Sequence, residues 1–400
     1  MPFWRRKLRR SFGVASPIGV LTVTQAVNRL VRAVGLMSGT SMDAVDVALI
    51  ETDGEGIVRR LAAGERPYRD DERAAIRAAL PVAAGLADRA ARPDALARAE
   101  RIVTEVHAEA VETFLADHAI DPATIDVVGF HGQTVFHAPE RALTIQIGDG
   151  PALAARLGID VVYDLRAADM LAGGQGAPLV PAYHRALAEA AGLDLPVVLL
   201  NLGGVGNITF VGADGTLIAF DTGPANALVD DLLLERLGRP MDEGGRIAAA
   251  GHVDSAALAA LLDHPYFAAP LPKSLDRNAF SRAPVAALST EDAAATLVAF
   301  TAETVAAGLR LVPQAPNRIV VCGGGARNPT LLAAVAAATG VATTTADALG
   351  WSSAAMEAEA FGYLAVRSLK GLPLTFPGTT GVAAPTLGGV LVRTPRRAAA

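Results

Sequence analysis

A glycine- and hydroxyl-rich turn near the start of the chain carries the first residues suited to chemistry. Gly35 and Gly39 allow the backbone to approach a ligand closely, and Thr40 and Ser41 add hydroxyl donors beside backbone amides. Donors gathered in this way suit an anion, so the stretch predicts a β-hairpin whose tip binds phosphate. The alternative is an ordinary tight hairpin without a ligand, because short glycine motifs are common.

Two carboxylates, Asp43 and Asp46, follow the turn directly. A carboxylate repels a phosphate unless a divalent cation or a water lies between them, so we expect one of the two to face Mg²⁺ through water. In the alternative both lie in solvent. The residues of this hairpin expected to contact a nucleotide are Gly39, Thr40, Ser41, Met42, Asp43, Ala44, Val45 and Asp46.

Two further groups of polar residues follow apolar segments that read as buried strands. His131, Gln133 and Thr134 end the apolar stretch 125–130, and open α/β sheets bind ligands at strand ends. His131 and His137 could instead bind a metal, but no carboxylate lies at a suitable spacing.

Asp169 precedes a loop rich in glycine and proline, residues 173–181. Glycine and proline fix the path of the backbone, so this loop is expected to form a wall of a site and not merely to connect two elements. Asp164, at the end of the strand that precedes this loop, is the second candidate for an active-site carboxylate.

The pattern of strand, glycine turn and strand recurs from residue 197 onward, which indicates an internal repeat with a second phosphate hairpin. Later, three glycines separate a buried strand from a helix, and they form a flat backbone surface on which a nucleoside could rest. A plain strand-to-helix turn is the alternative. The residues expected to contact the nucleotide in this half are Asn201, Gly203, Gly204, Asp221, Gly223, Gly323, Gly324 and Gly325.

Composition narrows the class of protein and its compartment. The 400 residues are 51% hydrophobic and carry a formal net charge of -6, which suits large cores and argues against nucleic acid or an anionic membrane surface as a partner. A single cysteine, Cys322, excludes an intramolecular disulfide, so a reducing, cytoplasmic location is expected. The basic residues before Phe12 imitate a secretory signal, but polar residues and Pro17 interrupt the apolar run, so residues 1–30 are expected to be an extension.

The chain lacks a Gly-x4-Gly-Lys-Ser/Thr loop and has no Gly-x-Gly-x-x-Gly after its first strand. Its order of segments resembles the acetate kinase, sugar kinase, chaperone and actin superfamily. Six segments together are similar to the anhydro-N-acetylmuramic acid kinase family over about residues 34–389. These are GLMSGTSMDAVD at 35–46, GFHGQT at 129–134, GGQGAPLVP at 173–181, NLGG at 201–204, FDTGP at 220–224 and GGGA at 323–326.

The resemblance implies an α/β fold of the actin-like ATPase type, with two related ribonuclease-H-like domains, mixed sheets flanked by helices, and ATP in the cleft between them. The first domain is expected to span 31–155 plus 370–400 and the second 156–369, after the poorly ordered extension 1–30. It also implies a cytoplasmic enzyme of peptidoglycan recycling, a homodimer, which uses ATP, Mg²⁺ and water. The enzyme would open the 1,6-anhydro bridge of its sugar substrate while phosphorylating O6.

The resemblance also assigns roles to residues. Asp169 matches the family's catalytic base, and its alternative role is to cap a helix or loop. Glu357 matches a sugar-contacting glutamate, or is simply an acid in the first turn of a helix. His131, Gln133 and Thr134 should hold the sugar, and Arg166 or Arg246 would bind its lactyl carboxylate. Two other functions stay open at this point: another acetate- or sugar-kinase-like phosphotransferase, and a non-catalytic ATP-binding switch protein.

Overall fold

The computed structural model describes residues 29–277 and 279–394. Most of the expected extension, residues 1–28, therefore lies outside the described residues. The first sheet contains β1 (Val31–Ser38), β2 (Ala44–Thr52), β3 (Val58–Pro67), β4 (Val127–Ala138), β5 (Leu143–Ile147), β6 (Val161–Tyr163) and β12 (Val390–Val392). The second sheet contains β7 (Val197–Leu202), β8 (Val205–Val211), β9 (Leu217–Pro224), β10 (Arg318–Cys322) and β11 (Thr343–Thr345).

Helices flank both sheets. They are α1 (Asp70–Ala84), α2 (Asp94–Asp117), α3 (Gly150–Leu157), α4 (Ala167–Leu171), α5 (Pro181–Ala190), α6 (Asn226–Leu237), α7 (Arg246–Ala250), α8 (Ser255–Leu262), α9 (Thr290–Leu309), α10 (Pro329–Thr339), α11 (Met356–Leu369) and α12 (Pro377–Thr380). Pro151, Pro181 and Pro329 each lie in a first helical turn, where the missing amide proton costs no hydrogen bond.

The two sheets repeat one topology. In the first, the order β3-β2-β1-β4-β6 joins two antiparallel pairs to two parallel pairs. In the second, β9-β8-β7-β10-β11 does the same. In each set of five strands only the second in sequence runs against the others. The internal repeat predicted from the two glycine hairpins is confirmed, as is the fold class of two mixed sheets flanked by helices.

Helix α11 crosses the first sheet at unusually short range, and glycines make this possible. A Cβ atom on Gly35 would lie 1.8 Å from the carbonyl oxygen of Ala358, and one on Gly129 would lie 2.1 Å from that of Phe361. Gly35 thus packs a helix against β1. The prediction that it lets a ligand approach was wrong, because the close neighbour is a helix more than 300 residues later in the chain.

Helices α5 and α11 join the two halves through a shared core. Tyr183 and Phe361 pack in one buried cluster with residues of both sheets, among them Val127 and Val320. Strand β6 pairs with β4 and therefore lies in the first sheet, although the division expected at 155/156 assigns it to the second domain. Its parallel pairing with β4 determines this placement.

Helix α9 is the one helix among the described residues that is long and apolar enough to cross a membrane by length and composition. Of that apolar window, 72% is buried inside the protein. Residues such as Leu297 and Phe300 pack in the core of the second half, so the hydrophobicity of α9 is accounted for by packing.

Candidate active site

A cleft of about 380 Å³ lies between the two halves and receives side chains from both. Arg166 and Glu357 line it from segments that pack on the first sheet, while Asn201, Asn207 and Asp221 line it from the second sheet. Parallel strands of both sheets end towards this region, the usual location of ligands in open α/β sheets. Other lining residues are Gln175, Lys273, Ser274, Cys322, Gly323, Ser353 and Thr379.

Asp169 is positioned by donors at both carboxylate oxygens. It lies in the short helix α4 and is only 2% exposed. The Thr380 hydroxyl donates to Oδ1 at 2.6 Å, and the backbone amide of Gly176 donates to Oδ2 at 2.6 Å. A Cβ atom on Gly174 would lie 2.3 Å from Oδ2, so the glycine-rich loop can wrap the carboxylate only because it has no side chain at that position.

Arg166 connects this carboxylate to His131. Its Nη1 donates to the Gly176 carbonyl at 2.8 Å, so the backbone of one residue contacts both Arg166 and Asp169. Its Nε donates to Nε2 of His131 at 2.9 Å, and Nδ1 of His131 lies 2.8 Å from the Gly132 carbonyl. These partners assign the neutral tautomer with the proton on Nδ1. Burial and the Arg166 charge hold the pKa of His131 well below its usual range.

Glu357 supplies the counter-charge to Arg166 from the first turn of α11. It lies on the cleft wall, where solvent reaches it although protein surrounds it closely. Desolvation there raises the pKa of Glu357, and Arg166 partly opposes that shift. Desolvation lowers the pKa of Arg166 to about 10, against the opposing effect of Glu357 and Asp169. The structure thus brings together Asp169, Arg166 and Glu357.

The first hairpin carries two acids, and one of them, Asp46, lies close enough to Glu357 for the two charges to repel. The Met42 amide donates to the Gly39 carbonyl at 3.1 Å to close the turn, and the Ser41 hydroxyl donates to Asp43 Oδ1 at 2.7 Å. Burial raises the pKa of Asp46 to about 7, and repulsion by Asp43, Glu65 and Glu357 adds to the shift.

The carboxylates of Asp43 and Asp46 are hard oxygen donors, the kind of ligand that Mg²⁺ prefers. No group of three or more His, Cys, Asp or Glu side chains able to hold a metal occurs in the described residues. The two hairpin acids therefore fit an ion held mainly by phosphate and water.

Gln133 and Thr134 do not line the cleft. Gln133 is fully buried: it accepts a hydrogen bond from the Ser38 hydroxyl at 2.5 Å and donates to the Gly39 carbonyl at 3.0 Å. Thr134 Oγ1 accepts from Gln146 at 3.2 Å. Gln133 thus joins β4 to the first hairpin, and Thr134 joins β4 to β5.

Asp164, the second candidate for the base, makes no hydrogen bond to Asp169 or Arg166, although His131 lines the same cavity as Asp164. Its carboxylate forms an ion pair with Arg89 and lines a different cavity of about 320 Å³ together with Tyr163. The residue has a positive φ of 54°, so the chain turns sharply between β6 and α4. That turn directs Asp164 away from Asp169, which lies five residues later.

The second hairpin presents Asn201 and Asn207 opposite each other on β7 and β8. The carbonyl groups of Gly203 and Gly204 accept hydrogen bonds from the first residues of α6, including the Asn226 amide at 3.0 Å. Asp221 Oδ2 accepts the Leu275 amide at 2.7 Å, and burial raises the pKa of Asp221 to about 6. Gly223 packs against α9, where a Cβ atom would lie 2.8 Å from Thr304 Oγ1.

The three consecutive glycines separate the central cleft from a second cavity of about 590 Å³. Gly323 has a φ of +76° and packs against Asn201, and Gly325 packs against Leu202. Gly324 faces the second cavity, which Asn226, Asp230, Gly244, Arg246, Arg327 and Leu331 also line. Arg246 therefore lies beside the glycine turn, not beside Asp169.

Sequence reasoning missed several residues of this region. Thr380 lies in a glycine-rich C-terminal stretch without a recognisable motif, and Lys273 lies in an irregular loop. The proline-rich context of Lys273 indicates a shaped loop, but nothing local reveals which cleft it lines. Asn207 could have been found from its position across the hairpin from Asn201.

Comparison with known proteins gives one consistent family. The family model described as anhydro-N-acetylmuramic acid kinase matches residues 31–394. An anhydro-N-acetylmuramic acid kinase of Rhodopseudomonas palustris is 54% identical over 365 residues, which cover 91% of this chain and 100% of that protein. Another, from Methylobacterium nodulans, is 55% identical over 372 residues, which cover 90% of this chain and 100% of the relative.

Solved structures are similar only at a distance. Component A of the (R)-2-hydroxyglutaryl-CoA dehydratase of Acidaminococcus fermentans matches with a TM-score of 0.44 and 11% identity, over 84% of this chain and 99% of that one. A gluconate kinase of Lactobacillus acidophilus matches with a TM-score of 0.37 and 11% identity, over 92% of this chain and 94% of that one.

Proposed function

This chain belongs to the anhydro-N-acetylmuramic acid kinase family, and we propose that the cleft between its two sheets performs both halves of the family's reaction. The enzyme is an ATP-dependent sugar kinase that hydrolytically opens 1,6-anhydro-N-acetylmuramic acid and phosphorylates O6. The products are N-acetylmuramic acid 6-phosphate and ADP, in the recycling of peptidoglycan.

Asp169 is our general base. A water oxygen bonds to the anomeric carbon while the bond from that carbon to O6 breaks, and O6 bonds to the γ-phosphorus as ADP leaves. The water's proton passes to Asp169 and then to solvent. The observation that carries this role is the pair of hydrogen bonds from Gly176 and Thr380, which fix the Asp169 carboxylate behind the cleft-lining loop but leave lone pairs on both oxygens for a water.

Glu357 and Arg166 are our contacts for the sugar. Of the two arginines expected to bind the lactyl carboxylate, Arg166 lies in the central cleft beside Glu357, while Arg246 lies in the cavity beyond the glycine turn. We assign the carboxylate to Arg166 for that reason. Both ring nitrogens of His131 have protein partners, so His131 acts by orienting Arg166. Gln133 supports the first hairpin, and Thr134 supports the pairing of β4 with β5.

The nucleotide is assigned to the two hairpins and the glycine turn. The tips at Gly39 and Gly203 would bracket the phosphates, and the cavity beside Gly324 would take the nucleoside. Mg²⁺, held through water by Asp43 and Asp46, would supply positive charge that offsets the phosphate charge in the transition state. Burial and repulsion raise the pKa of Asp46, as expected of an acid awaiting a cation.

Three further features are proposed from family membership: a homodimer, a cytoplasmic location and a two-domain division. We place the boundary of the first domain after β6, because β6 belongs to the first sheet.

The function is tested by supplying the purified enzyme with the anhydro sugar, ATP and Mg²⁺ and measuring ADP and sugar phosphate. N-Acetylmuramic acid, which has a free O6 hydroxyl and no bridge, is the matched control. Phosphorylation of the anhydro sugar with little turnover of the control is expected. Equal turnover of both would favour an ordinary sugar kinase, and ATP binding without either product would favour a switch protein.

A further inference from the structure

Lys273 is a buried cation in the central cleft. Its side chain is 8% exposed and lines the cleft together with Asn201 and Asn207. Nζ donates to the backbone carbonyls of Tyr266 at 3.2 Å and Phe267 at 3.4 Å, and it lies 4.6 Å from the centroid of the Tyr266 ring. No ion pair joins Lys273 to a carboxylate in residues 29–277 and 279–394.

A buried ammonium without a counter-ion is costly, and long bonds to carbonyls and a ring offset only part of that cost. Burial accordingly lowers the pKa of Lys273. An anion that enters the cleft beside Lys273 would meet a donor whose partners in the described residues are two carbonyl groups and a ring, with no carboxylate among them. Such a donor binds an incoming negative charge more strongly than an exposed lysine would.

The backbone attaches Lys273 firmly to the second half of the molecule. The Asp221 amide donates to the Lys273 carbonyl at 3.0 Å, and the Leu275 amide donates to the Asp221 carboxylate at 2.7 Å. The side-chain amide of Gln175 also donates to the Pro272 carbonyl at 3.3 Å. Lys273 is thus attached to β9, which pairs with β8 of the second hairpin, while Gln175 joins its segment to the loop that wraps Asp169.

We infer that Lys273 Nζ binds an oxygen of the γ-phosphoryl group of ATP. The inference rests on the proposed kinase function and adds a residue to it. Two anions enter the cleft, the triphosphate and the lactyl carboxylate. Arg166 serves the carboxylate from the side of the first sheet, next to Glu357. Lys273 lies on the side of the second sheet, whose hairpin is proposed above to bind the phosphates.

The test compares affinities for the β,γ-imido analogue of ATP and for ADP, each with Mg²⁺, by calorimetry. Lys273→Met keeps an unbranched side chain that is one atom shorter, and it removes the charge. Lys370→Met, at the end of α11, is the matched control. We expect the preference for the analogue over ADP to fall roughly 10- to 100-fold in Lys273→Met, the range for one charge-assisted hydrogen bond, and to stay unchanged in the control. Because the preference is a ratio of two affinities, a loss of folded protein cancels.

An unchanged preference in Lys273→Met would overturn the inference. A raised KM for the sugar with an unchanged preference would likewise overturn it, and would assign Lys273 to the lactyl carboxylate. Lys273→Arg, which keeps the charge, should retain part of the preference. If the parent enzyme forms no sugar phosphate at all, the kinase function has failed, a result distinguishable from failure of the Lys273 assignment.

Discussion

The hydroxyl of Thr380 donates a 2.6 Å hydrogen bond to Oδ1 of Asp169, across 211 positions of the chain. Gly176 holds the other carboxylate oxygen at the same distance. Two donors from separate segments therefore fix the plane of a carboxylate on a helix of only five residues. A general base needs a fixed direction as well as basicity, and this pair of contacts provides it.

Replacement of Asp169 by Asn should abolish most turnover while leaving ATP affinity nearly intact. Asn keeps the shape but cannot accept the proton of water, and loss of a general base typically costs roughly 10²- to 10⁴-fold in rate. Steady-state kinetics together with nucleotide titration measures both quantities. Asp164→Asn is the control, because its partner Arg89 lies in another cavity. Its kcat should fall far less, and equal losses in the two variants would refute the assignment.

Thr380→Val tests the orienting hydroxyl. The substitution preserves the branched shape and removes the donor, so the carboxylate gains rotational freedom. We expect kcat to fall by roughly 10- to 150-fold, because one hydrogen bond to a charged group contributes about 1.5–3 kcal/mol, with KM for ATP unchanged. Thr380→Ser, which retains the hydroxyl, should recover most of the activity. A Ser variant as poor as the Val variant would show that packing of the methyl group matters instead.

Gly35 packs β1 against α11, whereas Gly39 lies in the hairpin turn, so alanine at the two positions should affect stability differently. A Cβ atom on Gly35 would lie 1.8 Å from a backbone oxygen of α11, whereas one on Gly39 meets nothing nearer than Ser41 Oγ at 3.5 Å. Gly35→Ala should therefore cost about 3 kcal/mol of stability, since the backbone of the sheet or helix must shift. Gly39→Ala should leave the thermal midpoint almost unchanged and raise KM for ATP. Similar midpoints for the two variants would contradict this packing.

The raised pKa of Asp46 predicts how the stability of the protein depends on pH. Its pKa is raised to about 7 in the folded protein, from 3.8. Between these values the folded state binds more protons than the unfolded state, so this residue's contribution to stability falls as pH rises through that window. Asn cannot ionise and avoids the loss. The melting temperature of Asp46→Asn, measured in EDTA, should exceed that of the parent by more at pH 8 than at pH 5.

An equal difference at the two pH values would show that Asp46 does not titrate in this environment. Addition of Mg²⁺ and ATP at pH 8 should stabilise the parent more than the Asn variant, because the ion offsets the charge that burial penalises.

Local patterns predicted the parts of the fold that local chemistry determines. Glycine turns between apolar runs identified both hairpins, and their similarity predicted the repeated topology that the two sheets share. The role of Gly35 could not be predicted in this way, because its neighbour Ala358 is distant in sequence. The short strand β6 was assigned to the wrong half because three apolar residues do not indicate their pairing partner.

The site shows the same division between local and long-range information. The family motifs identified Asp169 and Glu357 by position. The residues that surround them in the structure come largely from parts of the chain that these motifs do not include. Thr380 reaches Asp169 from a segment 211 positions later in the chain, and Lys273 reaches the cleft from an irregular loop. Gln133 is the opposite case: a polar residue at a strand end suggested a ligand, yet its amide group is used within the fold.

The most direct test of the central claim is the fate of water oxygen. The enzyme is given the anhydro sugar, ATP and Mg²⁺ in ¹⁸O-labelled water, and the product is analysed by mass spectrometry with fragmentation. Attack of water at the anomeric carbon, with O6 as the phosphoryl acceptor, predicts the label on the anomeric oxygen and none in the bridge between O6 and phosphorus. Because the free hemiacetal exchanges that oxygen slowly with solvent, the product is quenched early and compared with unlabelled product held in the same water. Label in the O6–phosphorus bridge, or phosphorylated sugar with its anhydro bridge intact, would contradict the account.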